Sequence, residues 1–364
     1  MLNIKKPALL LNPYICKRNI HTMAVKAREQ KVIFRPHFKT HQSAVIGEWF
    51  REEGVTSITV SSVTMAQYFA KHGWTDITIA FPVNILEIEE INTLASSIKL
   101  HLLVESMEAV TFLNEKLTTT CGFFIKIDTG YHRTGIETSN VSLIHMLLKA
   151  AKLQKLNFDG FLTHNGNSYH VKDSQELIWI QQNATENLIR LKKHFQPQYP
   201  NLLLSVGDTP ICSQLPVAPG IDEIRPGNFV FFDVMQFALG SCKLDDIAVA
   251  LVCPVVAMHH NRNEAVIYGG AIHLSKEQAL LPPDPEPIYG LAVRWDGNNW
   301  DTGNLLGRVT SLSQEHGIIS LTQAGCNLKP GELVAILPVH SCLTANLMRK
   351  YLTLKGNSIE TMNS

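Results

Sequence analysis

Five short stretches hold side chains able to do chemistry. In RPHFKTHQS, Lys39 stands among Arg35, His37 and His41; positive neighbours together with burial disfavour an ammonium and turn a lysine toward the neutral nucleophile of Schiff-base chemistry. A basic strand end facing solvent is the competing reading. IKIDTGYHRTG carries Asp128 and Arg133 with two glycines that permit a bend, against the plainer reading of a surface salt bridge. THNGNSYH supplies His164, Tyr169 and His170. SVGDTP sets Gly207, Asp208 and Thr209 where backbone N–H groups can converge on an anion, although the same residues also make ordinary turns and helix starts. Finally, LPVHSCLTANL places His340 and Cys342 two apart. On a strand such a pair shares one face, and imidazole plus thiolate begins a zinc site, though His-x-Cys pairs are also common packing residues.

Eight apolar, β-branched runs must position these groups: Lys31 to Phe38, Ser57 to Ser62, Asp76 to Pro82, Lys99 to Glu105, Gly122 to Asp128, Asn157 to His164, Asn201 to Val206 and Asn228 to Asp233. Helical spacing fills the gaps, as in Val63 to His72 and the long Ser174 to His194. Near-continuous apolar strands alternating with amphipathic helices make a parallel sheet, and eight units in about 230 residues favour a (β/α)8 TIM-type barrel over an open doubly wound sheet. In such a barrel functional groups come from the carboxyl ends of the strands, where Lys39, Arg133, Tyr169 and the 207–209 turn all fall. After about residue 240 short strand-like runs between Gly, Pro and Asn turns predict a smaller all-β domain, giving a division into 1–240 and 241–364. Leu281 to Pro287, LPPDPEP, reads as a loop.

Composition narrows the partners. The chain has 364 residues, 45% hydrophobic, with 32 basic side chains against 32 acidic ones, so no field is expected for nucleic acid or an anionic membrane. Seven scattered cysteines without a CxxC argue against a disulfide framework. MLNIKKPALLLNPY is too short in its apolar run for a signal core or a span, and a cytoplasmic location is expected.

Taken together, these stretches resemble the pyridoxal-phosphate enzymes of the alanine racemase fold, fold type III, in the branch of D-threonine aldolase and D-serine dehydratase. The resemblance covers nearly the whole chain. RPHFKTH resembles the cofactor-lysine motif, which makes Lys39 the residue bonded to pyridoxal 5'-phosphate. By the same resemblance Arg133 reaches the cofactor's phenolic oxygen and Tyr169 lies against the cofactor. Gly207, Asp208 and Thr209 hold its phosphate, and EIRPGNFVFFD is framework. His340 and Cys342 are the ligands of a divalent metal, and the softer thiolate favours zinc where aldolases of the branch carry an acidic residue.

The resemblance implies a lyase acting on a small D-amino acid. Lys39 removes the α-proton, and β-elimination from a D-3-hydroxy amino acid yields a keto acid and ammonia with zinc assisting departure of hydroxide. Retro-aldol cleavage to glycine and an aldehyde, dehydration of D-3-hydroxyaspartate, and a non-catalytic pyridoxal-phosphate carrier are the alternatives. A homodimer with shared active sites is implied as well. His37, His41, His164 and His170 stand near the motifs without an assigned role.

Overall fold

The computed structural model describes residues 2–151, 155–281 and 286–363, so most of the LPPDPEP stretch lies outside the described residues. In chain order the strands are β1 (Ala8–Leu11), β2 (Ile33–Phe34), β3 (Ile58–Val60), β4 (Asp76–Pro82), β5 (Lys99–Val104), β6 (Cys121–Asp128), β7 (Ile136–Glu137), β8 (Leu156–Leu162), β9 (Leu203–Val206) and β10 (Glu223–Ile224). There follow β11 (Val249–His259), β12 (Glu264–Tyr268), β13 (Gly290–Trp295), β14 (Trp300–Leu312), β15 (His316–Leu321), β16 (Leu333–Pro338), β17 (Lys350–Thr353) and β18 (Ser358–Glu360).

Among the described residues eight parallel strands run in the order β2-β10-β9-β8-β6-β5-β4-β3, and a parallel bridge from His37 to Thr59 joins the two ends into a barrel. Seven of these coincide with the runs expected from sequence. The eighth does not. Asn228–Val230 is a 3-10 turn and Asp233 caps the helix Val234–Ala238, whereas the barrel strand is the two-residue β10 upstream. Serine and aspartate caps start the crossover helices: Ser62 accepts from Met65 N–H at 3.1 Å and Ser106 from Ala109 N–H at 3.2 Å. Val63, Met65, Ala66 and Phe69 then present the buried stripe of Val63–Lys71 to the sheet.

The second sheet closes on itself. Strands β11, β16, β13, β14, β15 and β12 form an antiparallel ring, since β12 pairs with both β15 and β11. β1 extends it, antiparallel to β11 and parallel to β17, although sequence had placed residues 8–11 in the barrel domain. By backbone contacts the chain forms two compact units, Met1–Thr22 with Thr40–Trp49 and Asn228–Ser364, and Met23–Lys39 with Phe50–Gly227. The expected break after residue 240 falls inside the first of them.

Phe38 anchors the end of the first barrel strand. It is fully buried, with ring centroids 4.9 Å from Phe50, 4.9 Å from Phe69 and 5.1 Å from Trp74. Removing a ring so enclosed leaves a void that rigid neighbours cannot fill. Phe38→Ala is therefore expected to lower unfolding free energy by about 3–5 kcal/mol in urea denaturation, and a loss below about 1 kcal/mol would contradict this packing.

Candidate active site

Lys39 follows Phe38 at the barrel mouth. Its side chain is exposed, and its backbone N–H donates to His37 Nδ1 at 3.3 Å. The expected source of positive charge is revised here. Arg35 is turned inward into ion pairs with Glu223 and Asp76, and the cations that act with Lys39 on His164 are Arg133 and Arg225. His164, two residues beyond β8, donates its Nδ1 hydrogen to the Gly207 carbonyl at 2.5 Å. Burial, the Lys39 charge and these two guanidiniums push the imidazole down to about 3, so it is neutral at physiological pH. Its ring lies 6.0 Å from that of Tyr131 and 6.1 Å from that of Tyr169. Lys39, Arg133, Tyr169 and the 207 turn thus converge on one histidine.

The turn after β9 is built for close approach. A Cβ on Gly207 would lie 2.9 Å from both Cβ and O of Arg225, so only glycine fits. Asp208 caps Thr209–Gln214, its Oδ1 accepting from Ile211 N–H at 2.8 Å, while Ser168 Oγ and Asn165 Nδ2 donate to the same carboxylate at 3.2 and 3.3 Å. Its side chain is thereby spent on structure, which leaves the backbone for an anion. Thr209 N–H donates to Tyr169 Oη at 3.3 Å. The Thr209 hydroxyl is fully buried and makes no hydrogen bond among the described residues. A close glycine, a weakly held N–H and an unused hydroxyl fit a phosphate.

Arg133 sits on the loop after β6. Asp128 Oδ1 gathers the N–H groups of Gly130, Tyr131 and His132 at 2.9, 3.0 and 3.1 Å. Although burial opposes it, these bonds hold the Asp128 carboxyl below the ordinary range. The acid's side-chain partner is His132, at 3.0 Å, rather than Arg133, which lies 5.1 Å over the Tyr131 ring. Arg225 is the residue that sequence left in the framework. Its guanidinium is buried, donating from Nε to Ser205 Oγ at 2.7 Å and from Nη2 to Thr163 O at 2.5 Å, and burial lowers it to about 10.

In the other unit, His340 and Cys342 are not on a strand. His340 is the N-cap of the helix Ser341–Met348, and Cys342 is its second residue. Their side chains nevertheless hydrogen-bond: burial alone would lower the imidazole, but the Cys342 contact and charge, with Asp233 and Glu277, raise it to about 9. His340 Nδ1 is buried and makes no hydrogen bond among the described residues. The Cys342 sulfur lies 3.2 Å from Thr40 Oγ1 and 3.5 Å from Asn228 Nδ2. Among the described residues no group of three or more His, Cys, Asp or Glu is gathered. Two adjoining soft donors, one with an unused nitrogen, fit a cation that takes its other ligands from small molecules. His41 is buried, its Nδ1 accepting from Ser43 N–H at 3.1 Å, and burial pushes it down to about 3. His170 is exposed.

Residues 15–234 match the alanine racemase N-terminal domain family. The chain belongs to that family. Residues 248–354 of this alanine racemase-like chain match the family described as "Putative serine dehydratase domain". A D-serine dehydratase of Dictyostelium discoideum is 28% identical over 393 residues, spanning 100% of this chain and 96% of its own. The solved D-threo-3-hydroxyaspartate dehydratase from Delftia sp. HT23 is 25% identical, with a TM-score of 0.90 over 100% of this chain and 98% of that one. A cysteine-to-alanine mutant of a D-threo-3-hydroxyaspartate dehydratase, solved in a metal-free form, has a TM-score of 0.91 at 24% identity over 100% and 98% of the two chains. No helix among the described residues is long and apolar enough to cross a membrane.

Burial raises Asp208 to about 6 from an ordinary 3.8, so between those values the native state holds a proton that the unfolded chain has lost. Stability therefore falls as pH rises through this window. Asp208→Asn keeps the capping oxygen and removes the titration. Its unfolding free energy relative to wild type is expected to grow by up to about 1.4 kcal/mol per pH unit between about 4 and 6 in urea denaturation series. A flat difference would show Asp208 to be charged throughout.

Proposed function

We propose that this chain is a pyridoxal-phosphate-dependent, zinc-assisted dehydratase of small D-3-hydroxy amino acids, converting D-serine to pyruvate and ammonia. One observation carries the reading: relatives named as D-amino-acid dehydratases align along the whole chain, and the lysine, glycine turn and His-Cys pair of the motif analysis are all present. The convergence of Lys39, Arg133 and Tyr169 on His164 supports it, as does the side-by-side placement of His340 and Cys342.

Pyridoxal phosphate held at Lys39 supplies an electron sink for the charge left on the substrate α-carbon, and zinc on His340 and Cys342 supplies a Lewis acid for departing hydroxide. The remaining work falls to side chains. Gly207 through its backbone N–H and Thr209 through its buried hydroxyl would hold the phosphate. Lys39, displaced by substrate, takes the α-proton on Nζ. Arg133 would supply positive charge toward the cofactor's phenolic oxygen. His164, neutral and tied to Gly207, holds the turn in place and carries no proton of the reaction. Tyr169, whose hydroxyl accepts from Thr209 N–H, would lie against the cofactor. A cytoplasmic homodimer with shared active sites completes the proposal, and light scattering at assay concentration checks the assembly.

Incubation with D-serine should give pyruvate and ammonia in equal amounts, with metal analysis finding zinc. Lys39→Ala should reduce turnover at least about a thousandfold and abolish the cofactor's visible absorption band. Glycine and acetaldehyde as the main products from D-threonine would replace dehydratase by aldolase. No metal and no turnover of any D-amino acid would leave a cofactor carrier.

A further inference from the structure

Cys342 has two polar neighbours on its sulfur besides His340, and sequence assigned neither of them a role of its own. Thr40, the residue after Lys39, is fully buried and its hydroxyl oxygen lies 3.2 Å from the sulfur. Asn228, also buried, approaches with its amide nitrogen at 3.5 Å. The orientation of that amide is fixed independently. The same nitrogen donates to Asp233 Oδ2 at 2.6 Å, and a carboxylate cannot donate in return, so the nitrogen must face this side. Asp233 is pinned in turn, accepting from Gln236 N–H at 2.9 Å and from Ser341 N–H at 2.9 Å. Asn228 Nδ2 also lies 3.2 Å from Ser341 Oγ in the first turn of the helix carrying Cys342, so its second hydrogen is shared between that oxygen and the sulfur.

We propose that Thr40 and Asn228 are positioning residues for Cys342, aiming their hydrogens at its sulfur so that it is oriented and electronically tuned for the divalent cation bound with His340. The inference rests on the metal reading given above. A metal-bound thiolate has no hydrogen, so the Thr40 hydroxyl must then be the donor; a primary amide nitrogen donates in every case. Hydrogen bonds lower the energy of the sulfur lone pairs and offset the cost of a negative sulfur away from water. Outer partners of this kind govern metal affinity nearly as strongly as the ligands themselves. Thr40 has the further property of following the cofactor lysine directly, so one short segment serves both groups.

The test uses holoenzyme stripped of metal by a chelator and titrated with cobalt(II) against a chromophoric competitor, recording affinity and the energy of the sulfur-to-cobalt charge-transfer band. Thr40→Val removes the hydroxyl at constant shape. It should weaken cobalt binding about 10- to 100-fold and move the band to lower energy, because the sulfur has lost a donor. Thr40→Ser keeps the hydroxyl and should behave as wild type on both readouts. Should the valine variant fail to fold, Thr40→Ala makes the same deletion. An unchanged affinity and band in the valine or alanine variant overturns the proposal, and so does a serine variant as impaired as the valine. A wild-type protein that binds cobalt without a sulfur band, or not at all, overturns the metal site itself and shows this before any variant is made.

Discussion

Closure of the parallel barrel depends on one buried guanidinium. The strands at the seam are the shortest in the sheet, with two residues each in β2 and β10 and three in β3, so the ladder offers few hydrogen bonds there. Arg35 compensates from both backbone and side chain. Its N–H donates to Ile224 O at 3.0 Å and its carbonyl accepts from Thr59 Oγ1 at 2.9 Å, while the guanidinium bonds Glu223 at 2.6 Å and Asp76. Asp76 is held well below the ordinary carboxylate range: burial works the other way, but His101 and Arg35 prevail. A pair buried this deeply contributes little net stability compared with apolar packing. Leaving one charge without its partner, however, costs about 3–5 kcal/mol, so the network acts mainly to specify this closure over others.

The same network reaches the candidate site. Glu223 Oε1 accepts from Ser205 Oγ at 2.6 Å, Ser205 Oγ accepts from Arg225 Nε at 2.7 Å, and Arg225 forms the surface against which Gly207 packs. The phosphate-type turn is therefore set by the barrel's own polar interior. Electrostatics at the mouth follow from this arrangement. Lys39, Arg133 and Arg225 all bear on His164, and burial together with Arg225 and Arg133 pushes Lys126 down to about 8. Of the nearby acids, Asp208 is occupied by its cap and Asp128 by the backbone of its loop, while Glu105 acts on Lys126. Such a site has positive charge to spare and favours ligands with phosphate and carboxylate groups.

Legibility from sequence followed the strength of each local signal. Seven barrel strands showed as apolar runs because both faces of a parallel strand are covered. NFVFFD imitated an eighth run, yet its apolar residues are buried through a 3-10 turn and a helix start, where Asp233 accepts from Gln236 N–H at 2.9 Å. The true strand, Glu223–Ile224, is too short to leave a period, and half of it is a charged residue whose burial only Arg35 and Ser205 explain. Lys39, Arg133, Tyr169 and Gly207 could be singled out as candidates because strand ends are a geometric filter. Thr40, Asn228 and Arg225 were not assigned, since their chemistry comes from partners distant in sequence: Thr40 and Cys342 are 302 residues apart.

A single barrel serves several reactions, so the chemistry must be sought in what is added to it. In the proposed function the addition is the His340 and Cys342 pair, at the cap and second position of a short helix. A structural zinc needs four protein ligands to close its tetrahedron, and a helix start cannot supply them from His340 and Cys342 alone. With no group of three or more such side chains fit to hold a metal among the described residues, the proposed cation would take its other ligands from water and substrate oxygens. A metal so held would act on a ligand rather than staple the fold. Such a metal would suit the expulsion of hydroxide that the proposed function requires, because an amine that has taken the α-proton would still leave a poor leaving group on the β-carbon.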